Sequence, residues 1–88
     1  MIEQKKELLK ELIYLTKNKQ VYNTLTETNK KAFKYLEERF FVKWDKLNLT
    51  FKQQNTIFFM IGDFVENRQY DMYESEVIDF SIKAMGEC

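Results

Sequence analysis

No proline occurs anywhere in these 88 residues, and large apolar side chains return every third or fourth position along most of the chain. Nothing interrupts a helix except clusters of polar, turn-forming residues, so the pattern restricts the fold to helices packed through their apolar faces. Residues 2–19 place Leu8, Leu12 and Leu15 at helical spacing with Leu9 and Ile13 one step round, above a polar face carrying Glu3/Lys6 and Glu7/Lys10. Residues 18–28 are rich in Asn, Thr, Lys and Gln around Val21, Tyr22 and Leu25 and read as a connector. Within it, Thr24 and Glu27 have capping-box spacing, so a second helix should open near there and run to about residue 46. Its stripe is Phe33, Leu36, Phe40, Trp44 and Leu47. Phe41 and Val42 widen that stripe, which predicts contact with more than one neighbour.

Residues 46–52 alternate polar and apolar, a strand period, yet Thr50 and Gln53 offer a second capping box that makes residues 47–50 a plain turn. Both readings stand at this level. A third helix over residues 51–68 carries Ile57, Phe58, Met60, Ile61, Phe64 and Val65. It is the most apolar piece, and on that ground it should lie at the centre. Gly62 within it costs roughly 1 kcal/mol relative to Ala, which points to a close helix crossing. Asp71 and Glu74 form a third capping-box spacing before a helix over residues 73–85, whose apolar set is Val77, Ile78, Phe80, Ile82 and Met85. Gly86 is its C-terminal stop. With 44% hydrophobic and 16% aromatic residues there is material for one core, and a chain this short closes only one. The expected fold is a single all-α domain over residues 1–88, a bundle of about four helices.

The residues that are missing narrow the function. The chain has no His, two Ser and two Gly, which removes Ser–His–acid and Cys–His nucleophile systems, HExxH zinc sites and the Glu-x-x-His pairs of di-iron bundles. Neither GxxxxGK[ST] nor GxGxxG is present, so no loop cradles a phosphate. Glu74, Glu76 and Asp79 lack the glycine and ligand alternation of an EF-hand loop and read as a solvated helix start. Asp63 and Glu66 read as surface carboxylates. No catalytic residue, cofactor or metal is expected. A small-molecule site would need convergent polar groups, and no such cluster is visible.

Lys and Arg balance Asp and Glu at fourteen each, so no global field selects nucleic acid or anionic lipid. The distribution is uneven. Residues 1–52 hold twelve basic and seven acidic side chains, and residues 53–88 hold two and seven. The halves either attract one another on folding or offer a basic and an acidic surface to partners. Cys88, the single cysteine, cannot staple the domain, as suits a reducing compartment. The opening residues lack the apolar stretch of a secretory leader, and the longest apolar run, residues 57–61, is far below the roughly 20 residues that span a bilayer. The expected location is the cytoplasm.

Two positive features remain. Lys30, Lys31 and Lys34 sit in the opening turns of the second helix, where the helix dipole disfavours cations, and read either as ordinary surface lysines or as a patch that meets an acidic partner. The fourteen aromatic side chains read first as core packing; the alternative is that Tyr35, Phe41, Trp44 or Phe59 stay exposed as interface anchors. Lys30, Lys31, Lys34, Tyr35 and Trp44 are the expected partner-binding residues. Any unburied stripe on the second or third helix is also a route to a homodimer.

The second half resembles a known family. Leu47-Asn-Leu-Thr-Phe51, a helix, then Val65-Glu-Asn-Arg-Gln-Tyr70 and Ser75-Glu-Val-Ile-Asp-Phe-Ser-Ile-Lys-Ala-Met85 is similar to the ribbon-helix-helix domains of ParD/CopG-type antitoxins and repressors. That resemblance implies a helical N-terminal hairpin followed by a ribbon-helix-helix unit, acting as a homodimer whose paired strands enter the DNA major groove. Lys46, Asn48, Thr50 and Lys52 would then read bases, with Ser75 near a phosphate. Asp79 stands where the family has a basic residue, and residues 53–88 are acidic. The expectation read from the residues themselves is a non-enzymatic regulator or inhibitor, of the type phages and mobile elements encode, that binds a protein partner. DNA binding through the ribbon-helix-helix unit is the alternative.

Overall fold

A computed structural model of the chain describes residues 2–67 and 73–86, and these form four α-helices and one short 3-10 turn: α1 (Ile2–Gln20), the 3-10 turn (Tyr22–Thr24), α2 (Glu27–Asp45), α3 (Phe51–Asn67) and α4 (Glu74–Ala84). The all-α bundle is as expected, and there is no strand among the described residues.

The turns show how local chemistry sets the boundaries. Thr26, not Thr24, caps α2: its Oγ1 accepts the Asn29 N–H at 3.2 Å. Thr24 lies in the 3-10 turn, where its hydroxyl donates to the Val21 carbonyl at 2.6 Å. The ambiguous residues 46–50 are a turn. The Thr50 N–H donates to Gln53 Oε1 (2.8 Å) and the Gln53 N–H to Thr50 Oγ1 (3.1 Å), a reciprocal pair that fixes the start of α3. Asn48, at φ 53°, takes the left-handed turn conformation that Asn tolerates. At α4 the Glu76 carboxylate accepts the Tyr73 N–H at 3.1 Å. The box expected at Asp71 lies outside the described residues. Gly86, at φ 92°, closes the chain of helices with its N–H on the Lys83 carbonyl (2.9 Å).

The centre belongs to α1, which packs against α2, α3 and α4, while α3 also packs on α4. Leu8, Leu9, Leu12, Ile13 and Leu15 are all buried, an arc wide enough to serve three neighbours. The expectation that α3 is central fails because part of its apolar content faces outward: Ile57, Ile61 and Val65 are buried, but Phe51 and Phe59 are exposed. Gly62 marks no crossing. A Cβ built there meets nothing within 4 Å. On α4, Val77, Ile78, Ile82 and Met85 are buried and Phe80 is exposed, with the Lys83 ammonium 5.7 Å from its ring. Among the described residues Ser81 is the one buried polar residue, and its Oγ donates to the Val77 carbonyl at 2.8 Å.

α2 lies along α1 and is fastened at both ends. At its start Phe33 meets Tyr22 edge-on, with ring centroids 5.5 Å apart. At its end Trp44 stacks on Phe40 (5.5 Å) and on Phe58 of α3 (5.4 Å), and its Nε1 donates to Gln54 Oε1 at 3.1 Å. The Gln54 amide in turn donates to the Leu49 carbonyl. Phe41 and Val42 do not widen the buried stripe, since both are exposed, and so is Leu36. The radius of gyration, 13.3 Å, exceeds the about 12 Å of a close-packed chain of this length.

Candidate functional site

The expected site residues separate in space. Trp44 is 2% exposed, so it is a core residue and not an anchor for a partner; its stacking and its bond to Gln54 are what hold it in. Lys30 folds back over its own fold, with Nζ 5.4 Å from the Tyr22 ring centre and 3.7 Å from Glu27. Lys31, Lys34 and Tyr35 remain on the exposed side of α2. Tyr35 is held in place by Arg39, whose Nη1 donates to the phenol oxygen at 3.1 Å while the guanidinium lies 5.6 Å from the ring centre. An aromatic ring stiffened in this way loses little freedom on binding.

The structure adds residues to this surface. Val42 lies two helical turns from Tyr35 on the same side of α2, and Phe41 lies two turns from Lys34. Phe41 sits edge-on to Phe40 at 5.2 Å. It forms the lip of a cleft of about 250 Å³ that opens between α2 and α3. Leu12, Leu15 and Thr16 of α1 line it, together with Phe40 and Phe41 of α2 and Phe58 and Ile61 of α3. Lys19 and Glu37, 4.0 Å apart, border it. The cleft exists because α2 reaches α3 through Trp44, which leaves the α1 floor open beside Phe41. Periodicity places Val42 in the widened stripe and leaves Phe41 either there or at the surface as an anchor; both are exposed, and nothing in the spacing reveals that α3 stands off from them.

On the other flank of α2, Tyr14, Leu36, Arg39 and Lys43 line a shallow groove with Glu7 and Glu11. There Lys43 Nζ donates to Glu11 Oε1 at 3.1 Å. This pair lies within the basic half of the chain. Lys17 with Glu74, at 3.9 Å, joins the two halves, so the charge polarity is only partly absorbed by folding.

The residues that the ribbon-helix-helix resemblance assigns to base reading do not share a strand face in this chain. Lys46 caps the end of α2, Asn48 and Thr50 lie in the turn, and Lys52 belongs to the first turn of α3. The Thr50 side chain is occupied by the cap. Among the described residues no three His, Cys, Asp or Glu side chains come together in a way that holds a metal ion, and no helix is long and apolar enough to cross a membrane. The chain matches no family model, no curated protein and no solved structure.

Proposed function

We propose that this chain is a non-catalytic binding module that engages a protein partner through the exposed side of α2 and the cleft beside it. The observation that carries the reading is the apolar surface that α2 leaves exposed beside the cleft, where Tyr35 is 58%, Phe41 41% and Val42 59% exposed. Tyr35, Phe41 and Val42 supply apolar contact within that surface, and Lys31 and Lys34 flank them with positive charge. The complementary partner is an amphipathic segment with acidic residues beside its apolar ones, the helix-in-groove mode of recognition. A small regulator or inhibitor acts through a surface of this kind.

The test is comparative affinity capture from the native host, quantified by mass spectrometry, with the wild-type chain and three variants as bait. Phe41→Ala and Lys31→Glu/Lys34→Glu should each deplete the same captured protein at least tenfold, while Glu3→Gln leaves capture unchanged. Equal capture by all four baits defeats the reading, as does binding of DNA whose affinity falls steeply with salt.

A further inference from the structure

The outer face of α3 carries a second set of unexplained features. Phe51 and Phe59 are 79% and 73% exposed, the most exposed large apolar side chains of that helix. With Asn55 and Gly62 they fall at i, i+4, i+8 and i+11, within an arc of about 80° at 100° per residue. Gly62 is the odd member. It lowers helix stability by roughly 1 kcal/mol relative to Ala, yet apart from its own helix backbone no described group lies within 4 Å of the Cβ it lacks. That leaves an open position on this face.

We infer that α3 pairs antiparallel with α3 of a second copy across a two-fold axis near Thr56, with Phe51 of each copy seated over Gly62 of the other. The register follows from the spacing alone. When Phe51 lies opposite Gly62 of the second copy, Asn55 and Phe59 also come opposite each other to within one residue, about 1.5 Å of helix rise. A large ring meets the one position without a side chain, at both ends of the contact. Charge agrees. Lys52 at one end of α3 and Asp63 at the other lie on the same flank of the stripe, both exposed, and neither forms an ion pair with another described residue. In an antiparallel pair, equivalent flanks face one another, so Lys52 of each copy comes beside Asp63 of the other. A parallel pair brings unlike flanks together and makes no such contact. The contact is isologous and closes at two copies. It uses none of Lys31, Lys34, Tyr35, Phe41 or Val42, so the α2 surface remains available to a partner in the dimer.

Sedimentation equilibrium tests this over a concentration range from about 1 µM to about 1 mM, the range in which a contact of one helix pair is expected to associate. The wild-type chain should move from 10.8 kDa to twice that mass as concentration rises. Gly62→Gln should raise the dissociation constant at least tenfold while circular dichroism shows the helices intact, since nothing in its own chain obstructs a side chain there. Phe51→Glu should do the same. Lys52→Glu should weaken association, and Lys52→Glu combined with Asp63→Lys should restore it. A wild-type chain that stays at 10.8 kDa throughout overturns the inference, and so does a dimer that Gly62→Gln and Phe51→Glu leave unchanged.

Discussion

Replacing Trp44 by Ala should remove most of the stability of this domain. The indole is buried, stacked between Phe40 and Phe58, and bonded to Gln54. Truncating a buried Trp removes its transfer free energy and leaves a cavity, about 3–5 kcal/mol together. The Gln54 carbonyl loses its donor as well; Gln54 is only half-buried, so water replaces much of that bond and the further loss is about 1 kcal/mol. Against these stands the total stability of an 88-residue domain, about 4–13 kcal/mol at typical values per residue. Trp44→Phe separates the two contributions. It keeps a ring between Phe40 and Phe58 but lacks the N–H, and should cost about 1–3 kcal/mol. Urea unfolding followed by far-ultraviolet circular dichroism measures both variants without relying on the lost fluorophore. With a slope of roughly 1–1.5 kcal/mol per molar for a chain of this size, Trp44→Phe should lower the midpoint by about 1 M or more, and Trp44→Ala should leave little or no folded baseline. A Trp44→Ala chain that loses under about 1 kcal/mol would refute the reasoning, because it would put the indole at the surface.

Further perturbations test the backbone readings. The two glycines should respond with opposite signs. Gly62→Ala, measured at low micromolar concentration, should stabilise by about 0.5–1 kcal/mol, since nothing crowds the new methyl. Gly86→Ala should destabilise by about 1–2 kcal/mol, because its φ of 92° lies where a Cβ is strained; thermal melts check both. Thr26→Ala should cost about 1 kcal/mol through the lost cap, while Thr24→Ala changes stability by less than about 0.5 kcal/mol, a contrast that urea titration resolves.

The helices were legible because periodicity reports which residues share a face. Leu8, Leu9, Leu12, Ile13 and Leu15 were all assigned to the core from spacing alone, and all are buried. Spacing is silent on which faces meet. α3 has a higher mean hydropathy than α1, yet Phe51 and Phe59 add to that mean while facing away from the core. Trp44 was expected both in the helical stripe of α2 and at the surface; its neighbour across the turn, Gln54, is what decides, and a pairing across ten residues leaves no local trace. The caps divide in the same way. Thr50 and Gln53 are reciprocal partners as read, but Thr24 and Thr26 both precede an acidic helix start, and the 3-10 turn settles which hydroxyl is free to cap. Of the expected site, Lys31, Lys34 and Tyr35 keep an exposed place, Lys30 turns back onto Tyr22, and Trp44 leaves the surface altogether.

The stability of this fold and the shape of its exposed face have a common origin in how α2 is held. Its start is fixed by Phe33 on Tyr22 and its end by Trp44 on Phe58, with Phe40 buried between them against α1. A helix fastened at two ends cannot close toward α3 at its middle without breaking one fastening, and neither stack is easily surrendered when aromatic pairs contribute about 0.5–1.5 kcal/mol beyond their burial. The cleft beside Phe41 is thus imposed by the same contacts that stabilise the bundle. Filling it from within would take a larger side chain at Thr16 or Ile61, and the chain carries a hydroxyl at one of those positions, bonded to the Leu12 carbonyl at 2.7 Å. Under the proposed function, a segment entering this apolar floor between rigid walls would meet a surface already in place, which lowers the cost of reorganisation on binding.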